Sequence, residues 1–163
     1  MKRRTLVLGA CMLATLATRT NAQDAFGVGV VVGEPTGIVI KKWIGANKAF
    51  DAAAAWSFSE NNSFQLHGDY LIHNFSVLDP EELKGDLALY YGIGGRIKLK
   101  EANSGSARND EDALIGVRVP LGISYLFADA PVDIFFEVAP ILDLVPDTDF
   151  SINGAIGARY YFH

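Results

Sequence analysis

The chain is predicted to be all-β, with eight antiparallel strands closed up-and-down into a transmembrane β-barrel. Three observations carry that expectation. Apolar residues recur at every second position in segment after segment, the period of a strand with two unlike faces. One face is bulky, built from Phe, Trp, Tyr, Ile, Val and Leu, while the other is mostly Gly, Ala and Ser with a few charges. No window holds the roughly 18 consecutive apolar residues that a spanning helix needs, although half of the 163 residues are hydrophobic.

The first 22 residues stand apart from that pattern. Lys2, Arg3 and Arg4 make a positive start, Thr5 to Ala17 is a short apolar run, and Thr20-Asn21-Ala22 ends on a small residue. This is the pattern of a secretory signal peptide cut after Ala22, and residues 23–163 form the barrel domain. A rival cut precedes Cys11, where Leu8-Gly9-Ala10-Cys11 resembles a lipobox. The apolar run before it is short for export, so Ala22 is the expected site. Cleavage there removes Lys2, Arg3, Arg4 and Arg19, leaves ten basic against nineteen acidic residues, and moves the formal charge from −5 to −9. So acidic a product is a poor partner for nucleic acid, whose phosphates need clustered Lys and Arg. The single Cys departs with the signal, so no intrachain disulfide or Cys-ligated metal is expected.

The strands follow in order. Ala25 to Gly33 sets Phe26, Val28, Val30 and Val32 against Gly27, Gly29 and Val31, and Glu34-Pro35-Thr36-Gly37 turns the chain. Gly37 to Ile44 is the second strand, closed by Gly45-Ala46-Asn47-Lys48. Ala49 to Ser59 opposes Phe50, Ala52, Ala54, Trp56 and Phe58 to Asp51, Ala53, Ala55 and Ser57. After the tight Glu60-Asn61-Asn62 connection, Ser63 to Phe75 opposes Phe64, Leu66, Tyr70 and Ile72 to Gln65, His67, Asp69 and His73. The connector Ser76 to Gly85 has a candidate helical turn at Glu81, Glu82 and Leu83.

Asp86 to Lys100 alternates Leu87, Leu89, Tyr91, Ile93, Ile97 and Leu99 with Ala88, Tyr90, Gly92, Gly94, Arg96 and Lys98. The polar run Glu101 to Asp112 is the most loop-like stretch. Ala113 to Phe127 is the sixth strand and Val132 to about Val145 the seventh, the latter with Ile134, Phe136, Val138 and Leu142 opposite Asp133, Phe135, Glu137 and Ala139. The closing strand, Phe150 to His163, alternates Ile152, Gly154, Ile156, Ala158, Tyr160 and Phe162 with small or polar residues.

Size decides which face is outside. An eight-stranded barrel is only just wide enough inside for side chains, so the bulky face belongs outside, against lipid, and the closed ladder satisfies every backbone group without water. Trp43, Trp56, Tyr125, Phe127, Tyr160 and Phe162 lie near strand ends, as interfacial girdles do. Pro120 sits mid-strand with no N–H to give, which calls for a bulge or a redirected bond. Lys41 and Lys42 are adjacent, so one of them faces lipid and snorkels.

The small face collects Asp51, His67, Asp69, Arg96, Arg118, Asp133, Glu137 and Arg159. Charges taken out of water must be paired, so a charge network plugging the lumen is expected. A turn near Thr148 places Glu137 beside Arg159, and a loop centred near Ala107 brings Arg96 beside Arg118, with Asp51, Asp69 and Glu137 as their acids. No cofactor or metal is expected: six residues at about 3.3 Å each separate His67 from His73 by roughly 20 Å. A Ser57–His67–Asp69 relay is conceivable, with the turn at Asn61 setting Ser57 diagonal to His67, and it is weighed lightly because polar strand residues serve mostly as lumen partners. Asp110-Glu111-Asp112 reads as a solvated loop rather than a cation site beside lipopolysaccharide. No nucleophile elbow, phosphate loop or zinc motif is present in the sequence.

Several stretches together resemble a family. They are Gly33-Glu34-Pro35-Thr36-Gly37 with Lys42-Trp43, Leu66-His67-Gly68-Asp69-Tyr70-Leu71-Ile72-His73-Asn74-Phe75, Tyr91-Gly92-Ile93-Gly94-Gly95-Arg96, Gly116-Val117-Arg118-Val119-Pro120-Leu121-Gly122, and Gly157-Ala158-Arg159-Tyr160-Tyr161-Phe162. The set is similar to the small outer-membrane β-barrels of spirochaetes and other bacteria, with an OmpA-like transmembrane barrel, over nearly the whole mature chain. The resemblance implies an eight-stranded barrel of uncharacterised role, makes Pro120 a family feature, and carries over no catalytic residue.

The expected protein is therefore a non-enzymatic barrel of a Gram-negative outer membrane, structural or interactive in role. Its expected partners are outer-membrane lipid or lipopolysaccharide and the assembly machinery, with no surface ligand identified. Alternatives are an adhesin or ligand-binding surface protein, a narrow pore, a lipid hydrolase using Ser57 and His67, and a soluble secreted barrel. An even strand count puts both termini in the periplasm, Glu101 to Asp112 at the cell surface and Ser76 to Gly85 in the periplasm. Gly157, Tyr160 and Phe162 have the Gly-x-x-aromatic-x-aromatic spacing that resembles the C-terminal signal for outer-membrane assembly. His163 trails that signal by one residue.

Overall fold

The computed structural model describes residues 25–57, 63–77, 84–100 and 113–162. The expected signal peptide with Cys11, Phe58, the expected connection Glu60-Asn61-Asn62, the candidate helical turn at Glu81 to Leu83, the expected loop Glu101 to Asp112 and His163 lie outside the described residues.

Alternating sequence produces strands throughout: β1 (Phe26–Glu34), β2 (Thr36–Trp43), β3 (Lys48–Ser57), β4 (Ser63–Asn74), β5 (Asp86–Lys100), β6 (Ala113–Arg118), β7 (Leu121–Leu126), β8 (Val132–Val145) and β9 (Asp149–Phe162). Each pairs antiparallel with its chain neighbour, except that β6 and β7 sit end to end between β5 and β8. The first and last strands close the ring, with Phe26 opposite Phe162 and Glu34 opposite Gly154. The nine segments thus form a ring of eight positions, an antiparallel up-and-down barrel with both ends of the described chain at one rim.

Two prolines explain the break between β6 and β7. Arg118 pairs with Gly94 and Ile141, and Leu121 with Tyr91 and Val138, so the register is the same on either side of the break. Gly92 donates its N–H to Pro120 O at 3.0 Å and Val119 donates to Pro140 O at 3.0 Å. The reciprocal bonds are impossible because neither proline has an N–H. The expected bulge is not at Pro120, whose side chain stays buried. The irregularity in this strand lies instead between Ile115 and Gly116, against β8.

The bulky face is outside. Val30, Ile38, Phe50, Ile93, Phe136, Phe150, Ile152 and Ile156 all point outward and are exposed. Inside, glycines admit large side chains: a Cβ at Gly122 would collide with the Tyr90 ring and one at Gly157 with Phe135. The β1–β2 turn needs a glycine for its backbone, since Gly33 has φ +145°. Thr36 locks that turn, accepting from Gly33 N at 3.1 Å and donating to Gly33 O at 3.0 Å.

Alternation also resolves the lysine pair, with Lys41 fully buried inside and Lys42 exposed. The expectation that Trp43 joins an outer girdle is corrected by the same rule. Trp43 shares the face of Lys41 and Val39, is only 4 % exposed, and packs inside with Ala25, Ala49 and Tyr161. Trp56, Phe127, Tyr160 and Phe162 do face outward, and Tyr160 meets Phe162 edge-to-face at 5.0 Å.

Candidate functional site in the barrel interior

Polar side chains fill the interior in three levels. At the rim shared by the two described ends, Trp43 lies 4.5 Å from the His73 ring and 6.3 Å from Phe75. Lys41 Nζ faces His73 Nε2 at 2.7 Å and sits 4.6 Å over the Trp43 ring. The ammonium is held there by one nitrogen and by aromatic faces.

The middle level holds two arginines, each between two acids. Arg159 donates from Nε to Asp133 Oδ1 (2.9 Å), from Nη2 to Asp133 Oδ2 (2.9 Å) and from Nη1 to Asp51 Oδ2 (2.8 Å). Its guanidinium covers Phe135 at 4.0 Å, and Tyr161 donates its hydroxyl to Asp133 at 2.8 Å. Arg118 places Nε 3.1 Å from Asp69 Oδ2 and Nη2 on Glu137, which also accepts from the Tyr90 hydroxyl at 3.0 Å. Farther along, Arg96 makes a fork onto Asp143, with Nε on Oδ1 at 2.9 Å and Nη2 on Oδ2, and donates to Ser151 Oγ at 3.0 Å. Fork-on-carboxylate geometry is the strong form of a charge-assisted bond.

The predicted set Asp51, His67, Asp69, Arg96, Arg118, Asp133, Glu137 and Arg159 thus converges on the interior. Its pairing departs from expectation in a traceable way. The β8–β9 turn is centred on Pro146 rather than Thr148, so Arg159 lies opposite Asp133 and Glu137 lies opposite Ala155. Glu137 serves Arg118 instead. Arg96 and Arg118 face Gly116 and Gly94, which makes them the neighbours expected, set diagonally across β5 and β6. Of their expected acids, Asp69 and Glu137 do bind Arg118, while Asp51 serves Arg159.

The Ser57–His67–Asp69 relay does not assemble. Ser57 pairs with Ser63 and donates to Glu34, whereas His67 lies opposite Ala53, four positions along β3 from Ser57.

A family model matches residues 17–161. The chain belongs to the family described as "Protein of unknown function (DUF3996)". No curated protein matches it. Among solved structures, the N-terminal β-barrel domain of Pseudomonas aeruginosa OprF is similar at 9 % identity and a TM-score of 0.62, over 86 % of this chain and 98 % of that one. Neisserial surface protein A (NspA) is similar at 12 % identity and a TM-score of 0.52, over 85 % and 95 %. At such identities the likeness is one of fold.

Two interior charges, Asp143 and Lys41, escaped the sequence reading, as did the part the inward-facing Tyr90 and Tyr161 take in the network through their hydroxyls. Parity alone was enough to find Asp143, which is six positions beyond Glu137 on the same strand face. The Gly45-Ala46-Asn47-Lys48 turn likewise sets Lys41 opposite Asp51. Tyr90 and Tyr161 look like core aromatics until their hydroxyl partners are placed.

Proposed function

We propose that this DUF3996 chain is an integral outer-membrane β-barrel of the small, OmpA-like kind. Its lumen is plugged by the Arg–carboxylate network, and its role is structural or interactive rather than enzymatic. One observation carries the reading: the barrel is inside-out relative to a protein dissolved in water. Its exterior bears a continuous set of exposed large apolar side chains, including Ile93 at 60 %, Phe150 at 62 % and Ile156 at 60 %, while Lys41, Arg118, Asp133 and Arg159 are at most 2 % exposed. An apolar surface far beyond the few hundred Å² usual for a soluble monomer requires a hydrophobic surround, and a closed barrel meets the backbone requirement of a bilayer.

The plug follows from the same pairs. Arg159 bridges Asp51 on β3 to Asp133 on β8, and Arg118 joins Asp69 on β4 to Glu137 on β8, so the lumen is crossed by ion pairs from wall to wall. The non-enzymatic reading rests on the Ser57 and His67 side chains being separately engaged, with Glu34 and Gln65.

Fractionation of cells with gel mobility before and after boiling tests location and fold together. A heat-modifiable band in the outer-membrane fraction is expected, and a soluble periplasmic protein overturns the reading. Planar-bilayer recording tests the plug, for which no steady conductance is expected; sustained large openings would replace plug by pore.

A further inference from the structure

Asp51 and Asp69 stand directly opposite each other on β3 and β4, both facing inward, with His67 diagonal to Asp51. Like charges at opposed positions of neighbouring strands repel, and here the pair is buried, at 7 % and 3 % exposure. One potential ligand atom from each of Asp51, His67 and Asp69 lies within 4.8 Å of the other two. We propose that these three side chains form a binding site for one divalent transition-metal ion of the Zn²⁺, Co²⁺ or Ni²⁺ class.

Four features support the site beyond the grouping. First, Asp69 is buried yet neither of its oxygens makes a hydrogen bond. Among the described residues, Oδ2 has only the 3.1 Å ion pair with Arg118, and no donor meets Oδ1. A native buried carboxylate is almost always engaged at both oxygens. Second, Arg159 takes Asp51 through Oδ2, as Arg118 takes Asp69, so each member of the facing pair gives one oxygen to its arginine. A cation therefore adds to the network rather than replacing it.

Third, each arginine is shared with a second acid, Arg159 with Asp133 and Arg118 with Glu137, so neither cation belongs to the facing aspartates alone. Fourth, a cavity of about 20 Å³ reaches the cluster, bounded by Asp51, His67, Arg118 and Glu137 within and by Glu34 and Pro35 at the β1–β2 turn. That is room for one water-sized occupant, with an acidic side chain on the access route.

The ligand set selects the ion class. An imidazole with two carboxylates suits borderline metals and disfavours Mg²⁺ and Ca²⁺, which prefer oxygen alone. Gln65 Nε2 lies 3.2 Å from His67 Nδ1. Gln65 Oε1 accepts two long bonds, from Arg96 Nη1 at 3.4 Å and Asn153 Nδ2 at 3.5 Å, so ligation through His67 Nε2 requires the amide to turn over, giving up those bonds to accept from Nδ1–H as the outer partner of ligating histidines does. Ligand atoms about 2.1 Å from a tetrahedral ion are roughly 3.4 Å apart, so from separations within 4.8 Å binding draws the three side chains together by up to about 1.4 Å. The site requires the folded barrel but not its outer-membrane location.

The test uses the untagged full chain, folded in detergent micelles, stripped with EDTA and titrated with Co²⁺. One equivalent is expected to bind and to produce visible d–d absorption. His67→Gln, shown to be folded by heat-modifiable mobility, is expected to bind at least about tenfold more weakly, while His73→Gln binds as the parent does. Independently of any variant, Co²⁺ is expected to broaden the His67 imidazole resonances before those of His73. Failure to saturate at one equivalent, unchanged binding by folded His67→Gln, or broadening that begins at His73 or His163 overturns the site. None of those results touches the fractionation test of the barrel.

Discussion

Arg159 and Asp133 are cross-strand partners on β9 and β8, joined by two parallel bonds of 2.9 Å and sealed from water at 2 % and 0 % exposure. The same guanidinium holds Asp51 across the lumen at 2.8 Å. One side chain thus ties the closing strand to the opposite wall.

Removing Arg159 strands two buried carboxylates. Arg159→Met is expected to lower unfolding stability by about 3–5 kcal/mol, the usual cost of orphaning a buried ion. Asp133→Asn in the same chain should return part of that loss. Urea unfolding in lipid vesicles measures both, and additive effects of the two substitutions would count against coupling.

Glu137→Gln should cost less. Its side chain is 14 % exposed, against 0 % for Asp133, and Gln can still accept from the Tyr90 hydroxyl. A loss of about 1–2 kcal/mol is expected from weakening the Arg118 pair, read in the same unfolding assay. A loss equal to that of Arg159→Met would mean that the two arginines bear on stability alike.

Two glycines should answer differently to alanine. Gly122 lies beneath the buried Tyr90 ring, so Gly122→Ala forces that ring to move, at a cost of about 1–3 kcal/mol. Gly154 has nothing within 4 Å of the position its Cβ would take, so Gly154→Ala is expected to be neutral or to gain up to about 1 kcal/mol. Paired unfolding curves decide, and equal losses would discount the steric reading.

The end of β9 tests assembly. Phe162 is 54 % exposed beside Tyr160 and opposite Phe26, so truncating its ring removes little internal packing. Phe162→Ser should therefore reduce the outer-membrane level severalfold in cells, by immunoblot of fractions, while chemically refolded protein stays heat-modifiable. Normal membrane levels of the variant would remove the assembly role from Gly157, Tyr160 and Phe162.

Because Phe26 pairs with Phe162, both described ends share one rim. Epitopes placed after residue 22 and after residue 163 should show the same accessibility on intact cells, hidden if that rim is periplasmic. One exposed and one hidden epitope would contradict the closed ring.

Local alternation determined the strands, their faces and the ring of eight, because side-chain direction in a strand reverses at each residue and depends on nothing distant. The inward set from Asp51 to Arg159 was legible for that reason, and so was the inward Gly face that accommodates Tyr90 and Phe135. Where alternation was not followed strictly, as at Trp43, an aromatic near a strand end passed for a girdle residue. Pairing was a tertiary decision. Moving a turn by two residues moves the opposing residue by four, so Pro146 rather than Thr148 at the centre of the β8–β9 turn gave Arg159 to Asp133. Contacts across the lumen, Arg159 with Asp51 and Arg96 with Asp143, join strands that are not neighbours, and only the curvature of the closed barrel sets which of their side chains meet. The Pro120 problem dissolved for the same kind of reason: Gly92 as the donor to Pro120 O, and Pro140 O as the acceptor for Val119, could be assigned only once β5 and β8 were in place.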